Sequence, residues 1–208
     1  MPQTLTPAVI AEFLRPYLAS DLATPEGLYG QLTTYLELLL KWNARTNLTA
    51  IREPEEIVRR HFGESLFAAQ HLGECSTLLD IGSGAGFPGL PIQLLRPQLQ
   101  VTLAESQNKK ATFLREVIRT LGLQTEVWGN RVEAMPPSRA FDVVALRAVD
   151  NMEAAVAAAA QRVSSRLAIL SSGQQKAPVL PGFSLASDLV LPGDASLRLL
   201  LMDRNSKA

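Results

Sequence analysis

The residues best placed to do chemistry lie in Leu78-Leu79-Asp80-Ile81-Gly82-Ser83-Gly84-Ala85-Gly86-Phe87-Pro88-Gly89. An apolar run enters a loop with glycine at alternate positions, and a helix is expected to leave it. Glycine admits positive φ and has no Cβ, so a ligand can lie against the backbone. The free N–H groups of the next helix face that ligand. Dinucleotide enzymes place a pyrophosphate on such a loop, usually with G-x-G-x-x-G spacing. Here the spacing is G-x-G-x-G, and Asp80 stands two residues before the first glycine. A carboxylate there disfavours a pyrophosphate. It suits a cation such as the amino-acid part of S-adenosylmethionine, directly or through ordered water.

A second carboxylate, Glu105, follows the apolar run Val101-Thr102-Leu103-Ala104. At the end of the next strand an acidic side chain can accept hydrogen bonds from both ribose hydroxyls of a nucleoside. A bare strand-to-helix turn and a solvated strand-end carboxylate are the ordinary alternatives for each feature alone. Together the loop and Glu105 predict a nucleoside cofactor.

These groups need elements to hold them. Residues 1 to 73 read as helices. Leu28, Leu32, Tyr35, Leu36 and Leu39 repeat at helical spacing, and Thr24-Pro25-Glu26 before them predicts a capped start. A second helix is expected from Pro54 to Leu72, with a polar connector, Asn43 to Ile51, between the two. From residue 74 onward strands and helices alternate. Strands are expected at Thr77 to Ile81, Gln100 to Ala104, Thr125 to Trp128, Phe141 to Leu146, Leu167 to Leu170, Leu185 to Leu191 and Leu197 to Met202. Helices are expected at Pro88 to Leu95, Lys109 to Leu121 and Met152 to Val163. Only Pro192-Gly193-Asp194-Ala195-Ser196 separates the last two strands, too little for a helical crossover, so they should pair antiparallel. The expectation is an α/β fold with a mostly parallel sheet and one reversed strand.

Composition bounds the partners. The chain has 208 residues, 47% of them apolar, enough for a sizeable core. Twenty basic and 20 acidic residues give no formal net charge, so any nucleic-acid contact must be a local basic patch. The single cysteine, Cys75, cannot form an internal disulfide, and no Cys/His cluster offers a metal site, so no metal is expected. Met1-Pro2-Gln3-Thr4-Leu5 has neither the basic start nor the long apolar core of a secretory signal, and no apolar run reaches membrane-spanning length. A cytoplasmic protein without membrane partners is expected.

Asp80 to Pro88, Glu105-Ser106 with Lys109, Asn130-Arg131-Val132-Glu133, and Phe141-Asp142 leading to Arg147-Ala148 resemble the glucose-inhibited division protein B family. Trp42-Asn43, Asn47-Leu48-Thr49-Ala50-Ile51 and His61 with Glu64-Ser65-Leu66 are similar to that family's helical segment. The family consists of bacterial methyltransferases that modify N7 of a guanine in small-subunit ribosomal RNA. The resemblance implies a class I methyltransferase Rossmann-like fold, with seven strands and the last antiparallel, preceded by a helical N-terminal extension. It divides the chain into an extension, 1–73, and an S-adenosylmethionine-binding domain, 74–208. It implies S-adenosyl-L-methionine as cofactor, held by Asp80, Gly82, Ser83, Gly84, Ala85, Gly86, Phe87, Glu105, Ser106, Arg131, Val132, Glu133 and Arg147. It places Arg147 at the active-site mouth facing the target base, and makes small-subunit ribosomal RNA or a ribosomal particle the partner. Where the family has a lysine-glycine pair after the fifth strand, this chain has Ser171-Ser172-Gly173-Gln174, with Lys176 beyond.

Asn43, Asn47 and His61 are further candidates for RNA contact, against the ordinary readings of turn chemistry and a hydrogen-bonded, partly buried histidine. Arg45, Arg59, Arg60 and Arg131 are candidate phosphate contacts. Trp42 and Phe87 could stack on a base or belong to the core. Arg147 is expected to grip guanine, unless it pairs structurally with Asp142 or Asp150. Guanine N7 carries a free lone pair, so attack on a methyl group needs no general base. The competing reading is a class I methyltransferase-fold protein acting on a small molecule, or serving only as a cofactor-binding module. Neutral net charge leans toward it.

Overall fold

Leu78, Leu79, Asp80 and Ile81 are all buried, as expected of an inner strand covered on both faces. Around that strand the computed structural model, which describes residues 5–148, 151–172 and 177–205, builds one seven-stranded sheet. The strands are β1 (Thr77–Ile81), β2 (Gln100–Ala104), β3 (Glu126–Trp128), β4 (Phe141–Arg147), β5 (Val163–Ser172), β6 (Phe183–Val190) and β7 (Leu197–Arg204). Their order is β3-β2-β1-β4-β5-β7-β6. β1 to β5 run parallel. β7 is antiparallel to both neighbours, so the expected final hairpin and reversed strand are present.

The helices are α1 (Pro7–Leu14), α2 (Leu28–Thr46), α3 (Pro54–Ile57), α4 (Glu64–His71), α5 (Gly89–Leu95), α6 (Asn108–Leu121) and α7 (Met152–Ala160). One face of the sheet carries a buried cluster joining Leu78, Leu103 and Val143 to Ile10, Leu32, Tyr35 and Phe62 of the N-terminal helices. The other face packs Leu79, Ile81, Val144 and Leu167 against Ala155 and Val156 of α7. Burying both faces is what stabilises a parallel sheet. Trp42 packs edge-on against Phe113 at 5.6 Å, so it belongs to the core. Among the described residues no helix is long and apolar enough to cross a membrane.

Four boundaries depart from the pattern reading. The helix expected from Pro54 to Leu72 is interrupted by a π-helical stretch, Val58–Gly63. Gly63 is required there, since a Cβ would sit 2.7 Å from the Tyr17 ring. Thr24 does not cap α2; Gly27, at φ 78°, precedes it without a side-chain cap. The alanine run after Met152 carries helical signal past its real end, yet α7 stops at Ala160. There Arg162 turns inward and donates to the carbonyls of Met135 and Pro136 at 2.6 Å each. β5 then starts at Val163, earlier than its apolar core suggests, because Arg166 pairs across the ladder with Asp203 through two bonds of 2.6 and 2.8 Å.

Candidate active site

β1 and β2 are adjacent and parallel, so Gly82 and Glu105 emerge side by side at the carboxyl edge of the sheet, where open α/β sheets bind ligands. Local hydrogen bonds set the loop between β1 and α5. The N–H groups of Gly82 and Ser83 donate to the Ala104 carbonyl at 2.9 and 3.2 Å, and those of Gly86 and Phe87 to Ser83 at 2.7 and 3.0 Å. Gly82, Gly84 and Gly86 all take positive φ, which explains the alternate glycines. A Cβ on Gly84 would meet only the Gly82 carbonyl oxygen, at 3.8 Å, so space remains beside the loop.

A cavity of about 370 Å³ opens at this edge, within the usual size of small-ligand sites. Gly82, Glu105, Ser106, Arg131, Val132 and Glu133 line it together, though they come from separate segments. Ile81, Ala104 and Ala155 contribute apolar surface. Glu105 Oε2 accepts from the Gly84 N–H at 2.9 Å, and Oε1 from the Gln107 N–H at 2.7 Å. Each carboxylate oxygen has two lone-pair sites, so capacity remains for a ligand hydroxyl on each. Gln107, Asn130, Asn151 and Ala154 also line the cavity. Sequence reasoning misses Asn151, because its type and position before α7 read as an N-cap, which it also is, accepting from the Ala154 N–H at 3.1 Å.

Seven residues expected to hold a cofactor do not line this cavity, Gly84 and Gly86 of the loop among them. Strand alternation turns Asp80 to the opposite face from Ile81. Asp80 is fully buried; Oδ2 accepts from the Gly89 N–H at 2.9 Å, and Oδ1 finds no partner among the described residues. Burial pushes its carboxyl up to about 7, opposed first by the Gly89 bond. Asp80 supports the loop from behind, through the Gly89 N–H. Ser83 donates its hydroxyl to the Asp80 carbonyl at 2.9 Å, and Ala85 accepts from the Tyr35 hydroxyl. Phe87 is buried between Tyr35 and His61, with ring centroids 5.4 and 4.6 Å away, so it is core and not a stacking platform.

Arg147, at the end of β4, is likewise absent from the cavity lining. Its Nη2 lies 2.8 Å from Glu64 Oε2 and donates to the Arg60 carbonyl at 2.8 Å. Glu64 is buried and also accepts from Arg60 Nε at 2.7 Å. Arg60 in turn approaches Asp194 at 3.9 Å. The guanidinium expected to face a base is engaged here by the N-terminal helices. Asp142, one of the two expected carboxylates, does not pair with it. Asp142 accepts the Ser76 and Thr77 N–H groups at 2.8 and 3.0 Å, and Asp150 lies outside the described residues, as does Lys176.

The connector candidates are also internally engaged. Asn43 is buried, accepting from the Thr49 N–H at 2.9 Å and donating to Ile51 at 3.4 Å. Asn47 ends α2 in the left-handed region at φ 48° and accepts from Arg52 at 3.1 Å. His61 Nε2 lies 2.8 Å from the Thr49 hydroxyl, while Nδ1 is enclosed without a partner among the described residues. Burial, then the Arg147 and Arg60 charges, lower its imidazole to about 2, so it is neutral. Of the phosphate candidates, Arg59 lies 3.5 Å from Glu55 and 4.2 Å above the Phe13 ring. Arg45 and Arg131 are exposed, and neither has an ion-pair partner among the described residues. Burial raises the half-buried Cys75 thiol, fitting a packing role.

The family profile for rRNA small subunit methyltransferase G, also called GidB, matches residues 28–177. The chain belongs to this family. The enzyme of that name from Chromobacterium violaceum is 45% identical over 136 residues, 65% of this chain and 64% of that protein. That from Xanthomonas campestris pv. campestris (strain B100) is 45% identical over 141 residues, 67% and 63% of the two chains. That from Stenotrophomonas maltophilia (strain K279a) is 44% identical over 147 residues, 70% and 68%. The match thus spans just under two thirds of the length of the first two relatives. Among solved structures, a mutant of MtNAS in complex with S-adenosylmethionine is similar at TM-score 0.58 and 17% identity, covering 96% of this chain and 90% of that one. The ribosomal protein L11 methylase from Lactobacillus delbrueckii subsp. bulgaricus is similar at TM-score 0.56 and 11% identity, covering 71% and 79%. These likenesses and the strand order establish the class I methyltransferase, Rossmann-like fold.

Proposed function

We propose that the protein is an S-adenosyl-L-methionine-dependent methyltransferase that methylates N7 of a guanine in small-subunit ribosomal RNA. The observation that carries this is the cavity uniting Gly82, Glu105 and Arg131 to Glu133 at the carboxyl edge of the sheet. Membership of the methyltransferase G family and the names of its relatives support the substrate class. Residues 1–73 are read as an extension packed on the cofactor domain, 74–208.

The site fits a nucleoside cofactor. Glu105 retains acceptor capacity on both oxygens for ribose hydroxyls, and Gly82 and Gly84 leave the backbone open to close approach. Val132 with Ile81 and Ala155 offers apolar surface to a purine, and Arg131 and Glu133 flank it. S-adenosylmethionine supplies an electrophilic methyl group when bound. The chain's own task is to orient, because guanine N7 needs no deprotonation before attack. Its residues hold the nucleoside in line and exclude water. The neutral His61 and the buried Asp80 sit behind the loop, where they order it and move no proton from substrate.

A second reading, methyl transfer to a small molecule, has one observation in its favour: Arg59, Arg60 and Arg147 are all occupied by carboxylates of the same chain. Labelled S-adenosylmethionine, offered with small ribosomal subunits or their naked RNA from cells lacking the protein, separates the two. Label at N7 of one guanine is expected. No transfer to either RNA preparation would leave the small-molecule reading.

A further inference from the structure

Tyr35 belongs to α2, in the helical segment, yet it reaches the centre of the glycine loop. It is fully buried, and its hydroxyl donates to the Ala85 carbonyl, 50 residues away in sequence. Its ring stacks on Phe87 at 5.4 Å and 13°, at the loop's exit. A Cβ on Gly86 would collide with the same hydroxyl and lie 2.5 Å from Leu90 Cδ1. The other loop bonds join β1, β2 and the loop itself: Gly82 and Ser83 to Ala104, Gly84 to Glu105, Gly86 and Phe87 to Ser83. They leave the Ala85 carbonyl to be held from the helical segment.

We propose that Tyr35 is a positioning residue for the cofactor loop. By gripping the Ala85 carbonyl and filling the space over Gly86, it holds the loop in the form that turns Gly84 toward Glu105 and the cavity. This rests on the reading that the cavity holds S-adenosylmethionine. The helical segment is then part of the cofactor site even though none of its side chains lines the cavity. Glycine allows the Ala85–Gly86 peptide to rotate at little cost, so the unanchored loop has competing conformations. Apparent affinity falls in proportion to the fraction of competent loop. Burial, then the Asp80 charge, keeps the phenol well above its ordinary pKa, so it remains a donor through the neutral range.

The test is calorimetric titration of S-adenosylhomocysteine into the full-length wild type, Tyr35→Phe and Ile10→Ala. Tyr35→Phe keeps the ring and removes one oxygen. Ile10→Ala opens the core beneath α1, lowering stability away from the loop. Tyr35→Phe is expected to raise Kd about fivefold or more, and Ile10→Ala to leave Kd unchanged despite a lower Tm. Wild-type affinity in Tyr35→Phe overturns the positioning role. An equal loss in Ile10→Ala also overturns it, assigning the effect to stability alone. Absence of binding to the wild type overturns the cofactor reading itself, together with this inference.

Discussion

Glu64 and Arg147 meet at 2.8 Å and fasten the end of β4 to the helix that follows the π-helical stretch. The pair is asymmetric. Glu64 keeps Arg60 at 2.7 Å if Arg147 is lost, whereas Arg147, with a side chain only 12% exposed, has no other carboxylate partner among the described residues if Glu64 is lost.

Glu64→Ala should therefore destabilise more than Arg147→Ala. Leaving a buried charge unpaired costs about 3–5 kcal/mol, and losing charged hydrogen bonds with the acceptor still paired about 1–3 kcal/mol. Urea unfolding of the two variants at one pH checks the order. Equal or reversed losses would show that the pair does not anchor the segment. Arg147→Ala should still bind S-adenosylhomocysteine as the wild type does, since Arg147 does not line the cavity.

Asp80 makes stability fall as pH rises through the acid-to-neutral range. Its folded pKa, about 7, lies above the ordinary value of 3.8, so the folded state binds the proton more tightly. The stabilisation is complete below about 4 and is lost as pH rises to about 7. Asp80→Asn should remove this loss while its amide oxygen still accepts from Gly89. Measured by urea unfolding from pH 5 to 8, the variant should gain stability relative to wild type as pH increases. A constant difference across that range would mean Asp80 is ionised throughout.

His61 acts in the opposite sense. Its folded pKa of about 2 lies below the ordinary 6.5, so the unfolded chain binds a proton that the folded chain refuses. The stability it contributes is present above about 6.5 and lost as pH falls below that. His61→Gln should flatten the acid side of the stability profile below pH 6.5. Because Asp80 and His61 oppose each other between about 4 and 6.5, each variant must be compared with the wild type at matched pH. A His61→Gln profile parallel to wild type would contradict a buried neutral imidazole.

What is legible in the sequence is local. The run Leu78 to Ile81, the alternate glycines and Glu105 lie within short spacings that dictate a strand, a turn and a strand-end carboxylate. Sheet geometry then brings Gly82 and Glu105 together without further information. Asn151 carries no separable signal, because helix capping explains it equally well. Arg147 escapes sequence reasoning because its direction depends on a distant carboxylate. A clue is present in Glu64, a charge between Phe62 and Leu66 on an apolar helix face, which demands a buried partner. The π-helical stretch has no composition signature, and His61, which lies in it, stacks on Phe87. β5 reads too short in the sequence because Arg166 looks solvent-facing until its cross-strand Asp203 is known.

The claim that the cavity at Glu105 grips a ribose is tested most directly by two ligands and two proteins. S-adenosylhomocysteine and its 2′-deoxy analogue are titrated into wild type and Glu105→Ala. In wild type the missing hydroxyl should weaken binding by roughly 1 kcal/mol or more. In Glu105→Ala both ligands should bind weakly and alike, because the acceptor that tells them apart is gone. Equal binding of the two ligands to wild type, or discrimination that survives in Glu105→Ala, would contradict the assignment.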